Sequence, residues 1–339
     1  MKNKRDITID IFKGILILFV VIGHYPMINI KIKNIIYWFH MPLFFIVSGY
    51  LFKVSKDYKN LLKNFKKYII PYFSYFLIIS LFLEQDISIN KIIRFLYGGR
   101  VYGGVYWFIP CLMLTILLFN IIVSKFSRKN TITIILIMGI LSNLESLFFI
   151  PNNNDYYTWS FIYKMPLNID VCLLSIVYFM IGYYSKDLIN KIKTDINKYI
   201  LILSILLSIS FIYLYINDTL NFYLDMKYGK YENLVLSIII PILIGYILLT
   251  LSVLLKKYHI GNLLSILGRR TIPIMYLHIP LNEYFMNKLS YNSFIIYCLI
   301  GIVIPLIVSY LCSRNVFLNG IFNGFNIDVP IRIKSYSTE

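Results

Sequence analysis

The sequence predicts an all-α, polytopic integral membrane protein with about ten transmembrane helices and both termini in the cytosol. Three observations carry this. Hydrophobic residues make up 58% of the 339 and charged residues 14%, with a mean hydropathy of +0.71, whereas a soluble domain carries about a quarter charged residues. Apolar runs near twenty residues long, the length that crosses a bilayer as a helix, recur ten times. The basic residues also alternate between their connections: with the N-terminus inside, 23 Lys and Arg fall in cytosolic segments and 9 in outer ones, the bias that orients membrane proteins.

The ten runs cover residues 8–27, 35–52, 66–83, 105–123, 132–150, 166–184, 199–216, 233–254, 271–287 and 293–312. The first begins on a basic stretch, but Asp10 and Lys13 interrupt it and no small-residue cleavage site follows, so it reads as a retained span. The second holds Pro42, Ser48 and Gly49 among large apolar residues, as a kinked, closely packed helix needs. Between the third and fourth spans, 86–104 reads as a short interfacial helix followed by a mobile glycine-rich approach to the fourth. The outer loops 151–165 and 217–230 are rich in Asn, Asp and aromatic residues, a mixture suited to a polar ring-shaped ligand and equally to an interfacial aromatic belt. No hydrophilic stretch suffices for a separate domain and no repeat of fixed period is present. The chain therefore reads as one domain, 1–339, with a helical core over about 7–313 and a short cytosolic tail, 314–339.

A formal charge of +17 would suggest nucleic acid in a soluble chain. Here the charges sit in short loops between apolar spans, so nucleic acid is excluded as a partner and the bilayer takes its place. Cys111, Cys172, Cys298 and Cys312 fall in or beside apolar runs with no paired spacing and read as small core hydrophobes.

Polar residues inside the spans are the candidates for chemistry, because a charge at bilayer depth costs at least about 2.5 kcal/mol unless it meets a partner, a cavity or the interface. Lys13 and His24 are eleven residues apart, roughly three helical turns, so they share one face about 16 Å apart, and Asp10 joins it at i, i+3. The face reads as the lining of a site, or alternatively as an ion pair near one surface with a histidine among the far headgroups. His40 falls roughly level with His24, and His278 some 12 Å in from the cytosolic side; each is a candidate acid-base group or a core histidine bonded to a backbone carbonyl. Asp170 and Glu84 can orient a histidine, bind a sugar hydroxyl or cap a helix end. The basic run 53–67 is a topogenic patch that can also receive phosphates. No two histidines share a metal-ligand spacing, so no metal is expected.

These residues resemble the acyltransferase-3 family of integral membrane acyltransferases, in particular the branch similar to fucose 4-O-acetylases and polysaccharide O-acetyltransferases. The resemblance rests on Asp10-Ile11-Phe12-Lys13-Gly14 with Gly23 and His24, then Phe39-His40-Met41-Pro42 with Ser48-Gly49-Tyr50. Further matches are Lys66-Lys67 before Ile70-Pro71-Tyr72, Tyr106-Trp107-Phe108, and Leu267-Gly268-Arg269 with Tyr276, Leu277 and His278. It implies a ten-helix membrane enzyme of the cell membrane that takes an acyl group, usually acetyl, from cytosolic acetyl-CoA and places it on a hydroxyl of a glycan or lipid-linked oligosaccharide. His24 would be the catalytic histidine, with Asp10 and His40 beside it. Lys13, at a position that is Arg in many members, would bind the donor with Lys66, Lys67 and Arg269, and Trp107, Asp170 and His278 would contact the acceptor. The alternative class is a non-catalytic transporter or flippase for a lipid-linked glycan, which would show long outer loops and an inverted repeat; a purely structural subunit is the third.

Overall fold

The computed structural model describes residues 5–102, 104–150, 164–289 and 292–324. The chain opens with α1 (Ile7–Gly23), whose start is set by Asp6: its carboxylate accepts from the N–H groups of Thr8 at 3.1 Å and Ile9 at 3.4 Å. Next come α2 (Ile30–Tyr37) and α3 (His40–Leu51), which together occupy the second expected span and its approach. That span is broken at Trp38–Phe39 rather than kinked. Pro42 would clash with the carbonyl four residues back in a continuous helix, and it is accommodated because a new helix starts at His40 and places it in the first turn. Then follow α4 (Tyr58–Ile78), prolonged by a wider π-type turn to Leu83, and the short α5 (Ile89–Leu96), capped by Ser88.

After α5 the chain runs through α6 (Phe108–Lys125), α7 (Arg128–Phe148), α8 (Ile169–Tyr184), the short α9 (Lys186–Thr194) and α10 (Lys198–Ile216). A two-stranded antiparallel hairpin, β1 (Leu224–Asp225) with β2 (Lys230–Tyr231), pairs Leu224 with Tyr231 and Asp225 with Lys230. The remainder is α11 (Leu234–Lys257), α12 (Asn262–Arg269), α13 (Thr271–Leu289), α14 (Phe294–Cys312) and α15 (Val316–Asn323).

All ten expected spans are helical. Among the described residues, eight helical stretches are long and apolar enough to cross a membrane. The two that fall short are α1, with 17 residues, and α13, which carries His278, Asn282 and Glu283. These two pack against each other inside the bundle. The outer helices do the opposite: α10 turns Ile202, Leu206 and Ile209 outward, each more than half exposed, as lipid-facing helices do.

Connections expected on one side of the membrane meet one another. Lys193 bonds Asp6 at 2.6 Å, and Lys186 reaches the carbonyl of Phe52. At the opposite end Lys31 pairs with Asp218 at 2.7 Å, and Tyr25 bonds the carbonyl of Asn292.

Three expectations change. The glycine-rich approach to α6 is packed: a side chain at Gly98 would strike the backbone of Leu167, and one at Gly99 the backbone of Tyr106. The tail contains α15, held to the bundle where Ser309 bonds Asn323 at 2.7 Å and Tyr75 bonds the carbonyl of Phe322. The hairpin of 217–230 folds inward, burying Phe222, Leu224 and Met226, while most of the loop 151–165 lies outside the described residues. Cys111, Cys172 and Cys312 are buried and all four cysteines are free.

Two pairs of glycines weld the walls of the bundle. A Cβ at Gly268 would collide with the backbone carbonyl of Asp10, and one at Gly14 with that of Leu264, so α1 and α12 touch backbone to backbone. Gly49 and Gly182 do the same between α3 and α8, against Phe179 and Ile46. Gly268→Ala must therefore push α12 away from α1, and we expect it to lower stability by about 1–3 kcal/mol, the usual cost of overpacking. The thermal unfolding midpoint in detergent checks this; an unchanged midpoint would show that the contact is loose.

Candidate functional site

One face of α1 lines a cavity of about 1140 Å³. Ile9, Asp10, Lys13, Ile17, Val20 and His24 appear on its wall in helical steps of one, three and four residues. The opposite walls come from α3, the start of α4, α6, the junction of α12 and α13, and the hairpin. The polar face read from the sequence is thus a cavity wall.

At the N-terminal end of α1 the cavity is cationic. Asp10 is 4% exposed and lies among three cations: Arg5 Nε at 2.6 Å, Lys13 Nζ at 3.1 Å and Arg269 Nε at 3.9 Å. Lys53 and Lys67 also line this end. Asp6 also lines this end but is paired with Lys193, so Asp10 faces a surplus of positive charge, which in a partly dry recess suits an anion. The middle of the cavity is apolar, lined by Ile17, Val20, Phe44, Phe108, Leu112 and Met275.

The far end holds the histidines. His24 caps the C-terminus of α1 and is half-buried; its Nδ1 lies 2.7 Å from the carbonyl oxygen of Val20. His40 Nδ1 lies 2.7 Å from the carbonyl of Ile36, and His278 Nδ1 lies 2.9 Å from those of Ile274 and Met275. A carbonyl oxygen can only accept, so in each ring Nδ1 carries the proton and Nε2 keeps its lone pair, the form that a base requires. The His278 ring stands edge-on to His24 at 5.1 Å, and Tyr37 sits between His24 and His40, 6.2 Å and 5.1 Å from their rings. Tyr297 fixes the end of α1 by donating to the carbonyl of His24 at 2.9 Å.

The hairpin closes this end with Asp225, Met226 and Lys227. Asp225 Oδ1 accepts from the backbone N–H of Lys227 at 3.0 Å and of Tyr228 at 3.4 Å, a local turn that presents Lys227 to the cavity. Burial pushes the Lys227 ammonium down to about 8, against the pull of Asp225, while Lys33 of α2 and Arg100 push the same way as burial. The hairpin is pinned from behind: Arg100 donates to the carbonyl of Tyr228 at 2.8 Å and pairs with Asp170 in a fully buried contact.

His24, His40, Asp10, Lys13, Lys67, Arg269 and Trp107 all line the one cavity, although they come from five separate stretches of chain. Others are placed differently. Asp10 is fourteen residues from His24 on one helix, about 21 Å, so it acts on the cations and not on the histidine. Asp170 is buried against Arg100, behind the hairpin, and is not among the residues that line the cavity. Lys66 points outward beside the inward Lys67. His278 is fully buried behind His24, so it can reach a substrate only through that ring. Sequence reasoning missed Arg5, Tyr37, Asp225 and Lys227. Arg5 lies before the N-cap of α1 and five residues from Asp10, a spacing that helical periodicity does not place on one face, and the hairpin residues left no local signal either.

Known proteins bear on this arrangement. The model of the family described as Acyltransferase domain matches residues 6–314. A 59-residue stretch is 48% identical to nodulation protein NolL of Sinorhizobium fredii, covering 14% of this chain and 16% of that protein. The match thus spans about a sixth of the curated relative. No solved structure matches the chain.

Proposed function

The chain belongs to the acyltransferase domain family, and from that premise we propose that it moves an acyl group, in the first place acetyl, from acyl-CoA to a hydroxyl of a cell-surface glycan or its lipid-linked precursor. One observation carries the reading: a single cavity joins a cationic recess to a histidine with a free Nε2, across an apolar middle. The recess suits the phosphates of the donor, with Arg5, Lys13, Lys67 and Arg269 supplying the charge and Asp10 holding them at one point. The apolar middle suits an extended acyl-bearing arm. The orientation then follows from the loop charges, with the recess facing the cytosol of the cell membrane and His24 the outer side.

At the far end His24 Nε2 takes the proton of the acceptor hydroxyl as its oxygen attacks the thioester carbonyl, forming the C–O bond. When the C–S bond breaks, the same nitrogen returns the proton to the departing sulfur. His40 and Tyr37 line the space where the hydroxyl waits, and Trp107 lines the same cavity. Lys227 lines this end and can meet the negative charge that develops on the carbonyl oxygen.

The test is transfer of label from acetyl-CoA, and from longer acyl-CoAs in parallel, to glycan in membrane vesicles. No CoA-dependent acylation with any donor, together with movement of glycan, would replace the enzyme by a transporter.

Lys227 gives this reaction a pH signature. With its ammonium pushed down to about 8, the group is charged below that pH and neutral above it, so its help is present at neutral pH and fades as pH rises through 8. Lys227→Met should lower the rate at pH 7 and flatten the alkaline limb; Lys227→Arg should keep activity past pH 9. A pH–rate profile identical in all three proteins would remove Lys227 from the reaction.

A further inference from the structure

A second cavity, of about 480 Å³, is lined by Tyr276, Ile279, Pro280 and Glu283 of α13 and shares the lining residue Val105 with the first. Its size falls among ordinary small-ligand sites, about 300–1,000 Å³. Tyr106 and Tyr276 line it, are 4% and 1% exposed, and have hydroxyls without a hydrogen-bond partner among the described residues. Buried hydroxyls are nearly always paired, so two orphans on one wall mark a place where a ligand supplies the partners.

The rest of the lining indicates what that ligand is. Carboxylates come from Glu84 and Glu283, and a third aromatic ring from Tyr102, whose hydroxyl donates to Glu84 at 3.0 Å. Lys91 is bound to Glu84 and lies 4.0 Å from Asp86, and Arg94 donates to the side chain of Asn90 at 3.1 Å, so the carboxylates of Glu84, Asp86 and Glu283 outnumber the cations Lys91 and Arg94 in the lining. An anion would meet uncompensated carboxylate, whereas a metal ion would leave the tyrosine rings without a role. A neutral polyol satisfies both sets: its hydroxyls donate to Glu84 and Glu283, accept from Tyr106 and Tyr276, and its C–H face lies on an aromatic ring.

We propose that this second cavity is a sugar-binding subsite, holding a neutral hexose unit of the acceptor next to the one presented to His24. The proposal rests on the glycan reading above, and it makes the enzyme prefer acceptors of two or more sugar units. Because the Tyr106 and Tyr276 hydroxyls have no partner among the described residues, Tyr→Phe at both removes no hydrogen bond seen there.

Saturation-transfer NMR on the detergent-solubilised full chain, with maltotriose, cellotriose, mannotriose and raffinose as probes, tests it. At least one should receive saturation from the wild type and from His24→Ala, and bind about tenfold more weakly to Tyr106→Phe/Tyr276→Phe or to Glu283→Gln, as loss of hydrogen bonds to the ligand requires. Unfolding midpoints of the variants should match the wild type. No saturation of any probe, equal binding by all variants, or displacement by inorganic phosphate would overturn the subsite. Binding as expected without acyl transfer from any acyl-CoA would instead overturn the acyltransferase mechanism alone.

Discussion

His24→Ala should abolish acyl transfer while the protein remains in the membrane at wild-type abundance. A positioned acid-base group contributes about 100- to 10,000-fold in rate, and His24 is the histidine of the cavity that sits at the end of the helix carrying Asp10 and Lys13. Its loss removes one hydrogen bond, to the carbonyl of Val20, at a helix terminus that Tyr297 still anchors through the backbone, so little of the fold depends on the ring. Transfer of label from acetyl-CoA in vesicles, set against abundance by immunoblot, separates chemistry from folding. A wild-type rate would remove the mechanism. His40→Ala and His278→Ala should each reduce the rate without abolishing it. The first loses a cavity wall, and the second loses the ring that His24 rests against at 5.1 Å.

The main features of this site could be read from the chain because they are local. Asp10, Lys13 and His24 occupy one helix, where spacing alone fixes which residues share a face, and a polar group in an apolar run is conspicuous. Ten spans could be counted for the same reason. What was not legible depends on pairing across the chain. Asp170 looked free because its partner Arg100 lies 70 residues away, in a glycine-rich stretch that gave no sign of being buried. Asp225 and Lys227 lie in a loop whose composition fits an outer surface, and only its packing against Trp38 and beneath α7 brings it over the histidines. The break before His40 was half visible: Pro42 announced a disturbance, but a kink and a fresh helix start look alike until the preceding backbone is seen.

Lys13 gives the second large effect, and it tests the cationic recess. Lys13→Met should raise the KM for acetyl-CoA roughly 10- to 100-fold, as loss of a charge-assisted hydrogen bond to a phosphate does. Lys13→Arg should keep most of the activity, since the charge remains. The usual objection is that removing one member of an ion pair strands the other and unfolds the protein. Here Asp10 keeps Arg5 at 2.6 Å and Arg269 at 3.9 Å when Lys13 is gone, so Lys13→Met leaves no unpaired carboxylate. Asp10→Asn does the reverse: it leaves Arg5, Lys13 and Arg269 facing one another without their shared anion. That variant should lose stability and abundance, yet the molecules that fold should still bind the donor. Combining Asp10→Asn with Lys13→Met relieves part of this repulsion, so abundance should recover while the KM for acetyl-CoA stays high. If instead the double variant regains a wild-type KM, Lys13 serves only to balance Asp10, and the donor phosphates bind elsewhere.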